Sequence, residues 1–305
     1  MNDYFAGLLT ETVNSETTDI DLCSTKEMIA LMNLEDMKVP LAVEKEIDHI
    51  VQAVDLLHAA LAGGGRMFYL GAGTSGRLGI LDASECPPTF STDPELVQAY
   101  IAGGDIALRT AVEGCEDSHN QGVEIVIEAG VRKGDVVIGI TASGGAPFVL
   151  AAIEAAKELG AATVGITTNV DTELSRLCDI CIAPLVGPEV ITGSTRLKSG
   201  TAQKLVLNML TTCTMIKLGK VYGNLMVDLR PSNSKLLARA HRIIQQVCGV
   251  SEKVASSVLK EAGNNTKLAI MMLKSGLDAH SAQLVLNENG GMLRQAIETK
   301  ALKTS

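Results

Sequence analysis

Short apolar runs alternate with stretches of helical spacing along the first two thirds of the chain. Runs of this length that end in turn residues predict buried strands. They lie at 67–70, 96–101, 135–140, 163–166 and 180–183. Because strands that alternate with helices form parallel sheets covered on both faces, the pattern predicts an α/β fold.

Helical spacing marks the intervening segments. Residues 1 to about 40 are polar and mixed. From 41 to 61, apolar residues recur every three to four positions before three consecutive glycines, which predicts one amphipathic helix with Pro40 at its start. Further helices are predicted over 146–159 and over roughly 198–218.

Strand character disappears after residue 222. Three short helical patterns follow, separated by Gly and Asn, at 251–262, 266–273 and 279–286. The pattern therefore predicts two domains. Residues 1–224 form an N-terminal helical arm with the α/β domain, and 225–305 form a small helical domain.

Composition and charge narrow the possible functions. The chain has 26 basic and 35 acidic residues, a formal charge of −9, which is the wrong sign for binding nucleic acid. The start of the chain has no basic segment before an apolar stretch, and no apolar run approaches ~18 residues, so we expect a soluble, unexported protein that binds no membrane. The 7 cysteines are an odd number and scattered, which favours reduced thiols and a cytoplasmic location.

The loop after the first predicted strand has a phosphate-binding composition. Residues 71–76 read GAGTSG, a match to G-x-G-x-x-G, so a dinucleotide site is one alternative. Prolines at 87 and 88 are expected to interrupt the following helix too early for that fold, and no acid lies at the tip of the next strand. No lysine is present for a P-loop. Gly73, Thr74 and Ser75 therefore predict a site for one phosphate monoester at a helix N-terminus.

Two further loops have similar chemistry. Ser143 and Gly144 follow the strand at 135–140, and Ser194 and Thr195 precede the long helix. In an open parallel sheet such loops face one crevice, so we expect them to share the ligand, with Lys198 among the nearest cations. The alternative interpretation is that these residues only form tight turns.

Carboxylates close to these loops are the candidates for catalysis. Glu85 lies about three turns along the first helix, next to the two prolines, and Glu116 lies in a second acidic group at 113–117. A structural alternative exists for the second group, because Ser118 and Gln121 have the spacing of a capping box. The pair can act together only if the fold brings the two glutamates to one site.

The remaining polar motifs do not predict a metal or redox site. Cys178 and Cys181 have C-x-x-C spacing without a second pair or a nearby histidine. None of the five histidines has the spacing of a metal ligand. We therefore expect neither a metal nor a cofactor.

The sequence as a whole resembles the N-acetylmuramic acid 6-phosphate etherases of the sugar isomerase (SIS) superfamily. The resemblance is carried by GAGTSGRLG at 71–79 with DASECPPT at 82–89, by AVEGCEDS at 111–118, and by TGSTRLKSGTAQK at 192–204. It continues through GNLMVD at 223–228 and covers nearly the whole chain.

This resemblance implies a fold and a reaction. The fold would be an SIS-type, flavodoxin-like three-layer parallel sheet with a small all-helical C-terminal domain, assembled as a homodimer. The reaction would be a carbon–oxygen lyase reaction of cell-wall (peptidoglycan) amino-sugar recycling. It releases D-lactate from N-acetylmuramic acid 6-phosphate by elimination and then adds water, leaving N-acetylglucosamine 6-phosphate. The family's catalytic glutamates fall on Glu85, as proton donor, and Glu116.

One departure and two alternatives accompany the resemblance. Related proteins carry Arg-Thr where this chain has Gly145 and Ala146, so no arginine of this loop is expected to contact phosphate. A phosphosugar aldose-ketose isomerase would use the same loops with one carboxylate base. A non-catalytic sugar-phosphate sensor would bind the ligand without consuming it.

Overall fold

The computed structural model describes residues 7–229, 231 and 233–304, so the interpretation of the first five residues lies outside the described part. The helices and strands of the first part of the chain are α1 Thr25–Asp36, α2 Lys38–Glu44, α3 Ile47–Ala62, β1 Met67–Gly71, α4 Gly73–Phe90, β2 Val97–Ile101, α5 His119–Glu128, β3 Val136–Ile140, α6 Pro147–Glu158, β4 Ala162–Ile166, α7 Glu173–Leu177, β5 Ile180–Ile182 and α8 Lys198–Lys217. The rest are β6 Val221–Tyr222, β7 Leu225–Met226, α9 Ser234–Cys248, α10 Glu252–Glu261, α11 Thr266–Ser275, α12 Ala279–Glu288 and α13 Leu293–Thr304.

All five predicted strands are present and form one parallel sheet. Their order is β2-β1-β3-β4-β5, with Met67 of β1 opposite both Val97 and Val136. This is the strand order of flavodoxin-like folds, whose switch point lies between β1 and β3. Ligands in such sheets bind beyond the carboxyl ends of the strands at that point, which directs attention to the loops after β1 and β3.

Helices cover both faces of the sheet, as the alternating pattern predicts. On one face Phe68 and Val137 pack with Val149 and Ile153 of α6 in a single apolar cluster. On the opposite face the Tyr69 hydroxyl donates to Asp82 of α4 at 3.0 Å. Since every residue of β1 and β3 is buried, apolar side chains are favoured at consecutive positions of these strands.

The predicted single helix over 41–61 is wrong. The chain turns at 45–46, so α2 and α3 are separate, and Pro40 lies inside α2 rather than at the start of a long helix. The turn places Glu46 where its carboxylate accepts from the Ala183 N–H at 3.0 Å, just after β5. This contact spans 137 residues of sequence, so no local pattern records it.

The prolines do not interrupt the helix that follows β1. Helix α4 includes Pro87 and Pro88 and continues to Phe90. Both fall in its last turn, where the ring's fixed φ is compatible with a helix although each proline lacks the N–H that would bond to the carbonyl four residues back. The Ser91 N–H donates to Pro87 O at 3.0 Å, and Ser91 has a φ of 52°, so the left-handed residue ends the helix instead of the prolines.

The chain divides into two compact units: residues up to Ser84 with Glu95–Thr211, and Glu85–Pro94 with the residues from Thr212 onward. The predicted domain division at 225 stays a prediction. No described helix has the length and apolar character needed to cross a membrane.

The second unit is mainly helical, and its helices start and end at recognisable residues. Asn233, Ser251, Asn265 and Asp278 each cap the N-terminus of a helix by accepting a backbone N–H. The three predicted helices are confirmed as α10, α11 and α12. Sequence analysis missed α9 and α13, and it missed the β6-β7 hairpin in a region expected to be all-helical.

Candidate functional site

A cavity of about 280 Å³ lies in the first unit, at the ends of β1 and β3. Six of the predicted site residues line it, which are Gly73, Thr74, Ser75, Glu116, Ser143 and Thr195. The other lining residues are Glu11, Ala72, Ile140, Thr141, Ala142, Ala146 and Gly193. No lysine, arginine or histidine is among the described residues that line it, so an anion in this cavity would be held by uncharged groups.

The glycines of the 71–76 loop form a tight strand-to-helix turn. Gly71 and Gly76 approach so closely that a Cβ on Gly76 would lie 2.6 Å from Gly71 O and from the Ile101 side chain. Gly73 has a φ of 53°, in the left-handed region that favours glycine. The turn therefore brings the backbone at the start of α4 to the cavity wall.

Helix α4 supplies hydrogen-bond donors to the cavity. The first N–H groups of a helix have no partner within it, so those of Gly73, Thr74 and Ser75 can bind an anion and the helix dipole favours it. No described residue hydrogen-bonds to the Thr74 hydroxyl. The Ser75 hydroxyl donates to Gln203 Oε1 at 2.9 Å, so Ser75 offers mainly its N–H. Sequence analysis missed Gln203, whose buried Nε2 has no partner among the described residues.

The loop after β3 contributes Ser143 but not Gly144. The Gly144 N–H donates to Thr141 O at 3.3 Å, and its carbonyl accepts from Leu174 N at 3.0 Å. Gly144 has a φ of 72°, and a Cβ there would lie 2.4 Å from Thr172. Gly144 therefore shapes the turn, and the tight-turn alternative describes this residue better than ligand contact does.

The third loop also contributes only in part. Thr195 lines the cavity, whereas Ser194 does not. Lys198 is 1% exposed, and its ammonium donates to Glu35 Oε2 at 2.6 Å. Burial alone would raise the pKa of Glu35, but Lys198 and Lys38 outweigh it and lower that pKa. Lys198 does not line the cavity and its charge is engaged by this ion pair, and its expected role as a phosphate cation stays a prediction.

A buried glutamate occupies the N-terminus of α8. Glu189 is fully buried, and its carboxylate accepts the backbone N–H groups of Lys198 and Ser199, each at 2.9 Å. The Glu189 carboxylate therefore neutralises the partial positive charge at the N-terminus of α8. The N-terminus of α4 remains open to a ligand.

Glu116 reaches the cavity from a short 3-10 turn, Cys115–Asp117, that begins after Gly114. Gly114 has a φ of 73°. The Glu116 carboxylate is exposed and has no partner among the described residues. The predicted capping box is half correct. Ser118 caps α5 by accepting from Gln121 N, but the Gln121 side chain accepts from Gly103 N at 3.1 Å instead of returning to Ser118.

Glu85 lies later on α4 and is exposed. It begins the segment Glu85–Pro94, which belongs to the second unit, and no described residue pairs with its carboxylate. Its part in the reaction stays a prediction.

Cys178 and Cys181, the C-x-x-C pair, form no disulfide. Burial raises the pKa of both thiols, that of Cys181 to about 11. The described residues include no cluster of His, Cys, Asp or Glu that could hold a metal ion.

Glu11 is a cavity residue that sequence analysis missed. It lies in the polar segment before α1, where no apolar period or glycine motif marked a site. Together, the cavity offers backbone N–H groups and hydroxyls for a phosphate next to two carboxylates that can exchange protons or accept hydrogen bonds.

Comparison with protein families supports the sheet assignment. The chain matches the N-terminal SIS domain of glucokinase regulatory protein over 49–157, the SIS domain over 126–213, and the C-terminal lid domain of glucokinase regulatory protein over 223–283. Among solved structures, a phosphoheptose isomerase from Neisseria gonorrhoeae aligns with a TM-score of 0.49 at 21% identity, over 63% of this chain and 98% of that one.

Relatives of full length identify the family. An N-acetylmuramic acid 6-phosphate etherase from Clostridium acetobutylicum is 52% identical, over 98% of this chain and 99% of that protein. N-acetylmuramic acid 6-phosphate etherase 2 of Vibrio cholerae is 51% identical, over 95% of each chain. With such identity over almost its whole length, the chain belongs to the N-acetylmuramic acid 6-phosphate etherase family.

Proposed function

We propose that this enzyme cleaves the D-lactyl ether of N-acetylmuramic acid 6-phosphate and releases D-lactate and N-acetylglucosamine 6-phosphate. The family relationship supports this substrate. The observation that carries the proposal is the meeting of Thr74, Ser143 and Glu116 in one cavity with the open N-terminus of α4. This combination suits a phosphorylated sugar that must undergo proton transfer.

The phosphate binds at the start of α4 and the sugar extends toward Glu116. The backbone N–H groups of Gly73 to Ser75 and the Thr74 hydroxyl supply the donors. Because no described cation lines the cavity, no basic side chain neutralises the charge of the phosphate. The dipoles of the backbone N–H groups hold it instead. The reacting carbons are then placed by the phosphate at the other end of the substrate.

Elimination avoids direct displacement of a poor leaving group. Ring opening gives an aldehyde at C1, which acidifies the proton on C2. A base removes that proton, the C2=C3 double bond forms, and the C3–O bond breaks as an acid protonates the lactyl oxygen. Water then adds its oxygen to C3 and a proton returns to C2, so the net reaction consumes one water.

Two carboxyl groups of opposite protonation state suffice for these steps. We assign Glu116 as the base at C2 and Glu85 as the acid that protonates the departing lactate. After lactate leaves, ionised Glu85 deprotonates the water that attacks C3, and protonated Glu116 returns the proton to C2. Each glutamate thus recovers its starting state.

Release of D-lactate from the phosphorylated sugar is the direct test. In ¹⁸O-labelled water, elimination places the label at C3 of the sugar, whereas label in lactate would contradict this route. In deuterated water, deuterium should enter at C2. Ketose formation without lactate would identify an isomerase, and binding without any product would identify a sensor.

Variants test the two glutamates. Glu116→Gln and Glu85→Gln should each lower kcat roughly 10²- to 10⁴-fold with little change in affinity for the phosphorylated sugar. Glu113→Gln is the matched control for the first, because Glu113 is exposed in the same acidic group and does not line the cavity. Ser84→Ala is the control for the second. A Gln variant with normal turnover would remove that residue from the scheme.

The setting of the reaction follows from the substrate. N-acetylmuramic acid occurs in the bacterial cell wall, so we assign the enzyme to cytoplasmic recycling of peptidoglycan amino sugars. We also propose that it acts as a homodimer. Sedimentation at several protein concentrations tests the assembly, and a monomer at all of them would contradict it.

A further inference from the structure

Glu11 gives the strand-end cavity a second lining carboxylate, from a segment that precedes the α/β domain's first helix. Its side chain lies near the third loop, with Oε2 3.4 Å from the position that a Cβ on Gly193 would occupy. The reaction scheme uses Glu85 and Glu116 and assigns no task to Glu11.

The segment that carries Glu11 is anchored on both sides of it. Before it, Asn169 Oδ1 accepts from Leu9 N at 2.7 Å and from Thr10 N at 3.4 Å. After it, Thr17 Oγ1 donates to Val190 O at 2.9 Å. Thr10, Thr17 and Asn169 are all buried. Glu11 is therefore held beside the cavity by its backbone neighbours, and its own side chain is not needed for the anchoring.

Glu11 itself has no structural partner. It is exposed, and no described residue hydrogen-bonds to its carboxylate or forms an ion pair with it. A negative charge on the wall of a cavity that binds a phosphate disfavours that phosphate by like-charge repulsion. An ionised carboxylate only accepts hydrogen bonds, so its suitable partners are O–H and N–H groups of the ligand.

We infer that Glu11 binds the sugar portion of the substrate, where it accepts hydrogen bonds from hydroxyl or amide N–H donors and takes no part in proton transfer. The identity of that sugar rests on the proposed function. Charge-assisted hydrogen bonds to hydroxyls are strong and directional, so Glu11 orients the sugar while α4 holds the phosphate. It thereby adds selectivity for a sugar phosphate over inorganic phosphate.

The affinities for two ligands, one with a sugar and one without, distinguish a sugar-binding role of Glu11 from a structural role. Glu11→Ala should weaken binding of N-acetylglucosamine 6-phosphate roughly ten- to a hundred-fold, because charge-assisted bonds are lost. The same variant should bind inorganic phosphate as well as the parent or up to a few-fold better, because a repulsive charge is gone. Glu11→Gln keeps one acceptor oxygen and should fall between the two for the sugar phosphate. Calorimetric titration of each ligand measures the ratio of the two affinities.

Glu16→Gln is the matched control. Glu16 is exposed on the same segment and does not line the cavity, so its affinity ratio should equal that of the parent. An unchanged ratio in Glu11→Ala would overturn the inference, and so would parallel weakening of both ligands, which indicates a distorted cavity. If Glu11→Ala does not fold, the ratio in Glu11→Gln decides in the same way.

Kinetics provide a separate readout. Substrate KM should rise in Glu11→Ala while kcat changes less. A fall in kcat of a hundred-fold with unchanged KM would make Glu11 catalytic and would overturn the assignment. The binding ratio does not depend on turnover. If the parent enzyme releases no D-lactate but the ratio still shifts, the proposed function fails while the role of Glu11 stands.

Discussion

A cavity in each unit can be compared by the charged residues that line it, and the two cavities differ in these residues. One cavity of the second unit, of about 490 Å³, is larger than the strand-end cavity, of about 280 Å³. Its walls include Lys220 and Asp228, whereas the strand-end cavity is lined by Glu11 and Glu116 without a basic residue among those described. Cavity size alone does not single out the cavity that contains the strand-end carboxylates.

In the second unit one carboxylate at the cavity pairs with two lysines. Asp228 lies 3.0 Å from Lys220 and 2.9 Å from the mostly buried Lys267, and burial lowers the pKa of Lys267. In the first unit the comparable buried cation, Lys198, pairs with Glu35. The difference is that Lys198 of the first unit is held in a buried ion pair away from the strand-end cavity, so an anion in that cavity would meet backbone dipoles instead of a basic side chain.

The largest effect on stability is expected from removing the buried Lys198 of the first unit. Lys198→Met leaves Glu35 buried without its main partner and should lower the free energy of unfolding by about 3 kcal/mol. Urea denaturation measures this. The double variant Glu35→Leu with Lys198→Met should recover most of the loss, because no isolated charge remains. Full stability of Lys198→Met would show that the ion pair is not structural.

A smaller loss is expected in the second unit. Asp228→Asn removes the carboxylate shared by Lys220 and Lys267 and should cost about 1–3 kcal/mol, because Asp228 is less deeply buried than Glu35. The loss should be greatest around neutral pH, where Lys267 is charged, and should shrink as pH rises through the lowered pKa of Lys267. Lys220→Met is the control, since it leaves the Asp228–Lys267 pair in place. A loss independent of pH would contradict the charge argument.

Phosphate binding in the strand-end cavity should depend on the uncharged Thr74 hydroxyl. Thr74→Val keeps the shape of the side chain, removes the hydroxyl and should weaken binding of inorganic phosphate about five- to ten-fold. Thr201→Val is the control, because the Thr201 hydroxyl is exposed and donates to Leu197 O at the start of α8. Unchanged phosphate affinity in Thr74→Val would place the anion elsewhere.

The smallest expected effect is the pH dependence of the Glu35 pair. Because the pKa of Glu35 is lowered in the folded protein, its contribution to stability is fully present above its unfolded value of 4.5 and is lost as pH falls through the lowered pKa. The stability difference between the parent and Glu35→Gln should therefore be constant above that value and decrease below it. Denaturation at a series of pH values checks this, and a difference that grows toward acid would contradict the sign.

Much of the fold could be predicted because it depends on local signals. The apolar runs within 67–70 and 135–140 form buried strands of the parallel sheet, and the alternation of strands and helices determined the layers. The glycine-rich loop and the position of Thr74 after a strand likewise predicted the open end of α4. The break at 45–46 and the continuation of α4 through the prolines could not be predicted in this way.

The amino-acid sequence by itself determined the α/β class, the phosphate-type loop at 71–76 and, through resemblance, the family. Tertiary structure alone decided that Lys198 is engaged by Glu35, that Gly144 turns against Thr172, and that Glu11 reaches the cavity. The physical reason is the range of the interactions. Periodicity and turn propensity act between near neighbours, whereas these partners are brought together by the folded chain from distant positions, 160 apart for Leu9 and Asn169 and 163 apart for Glu35 and Lys198.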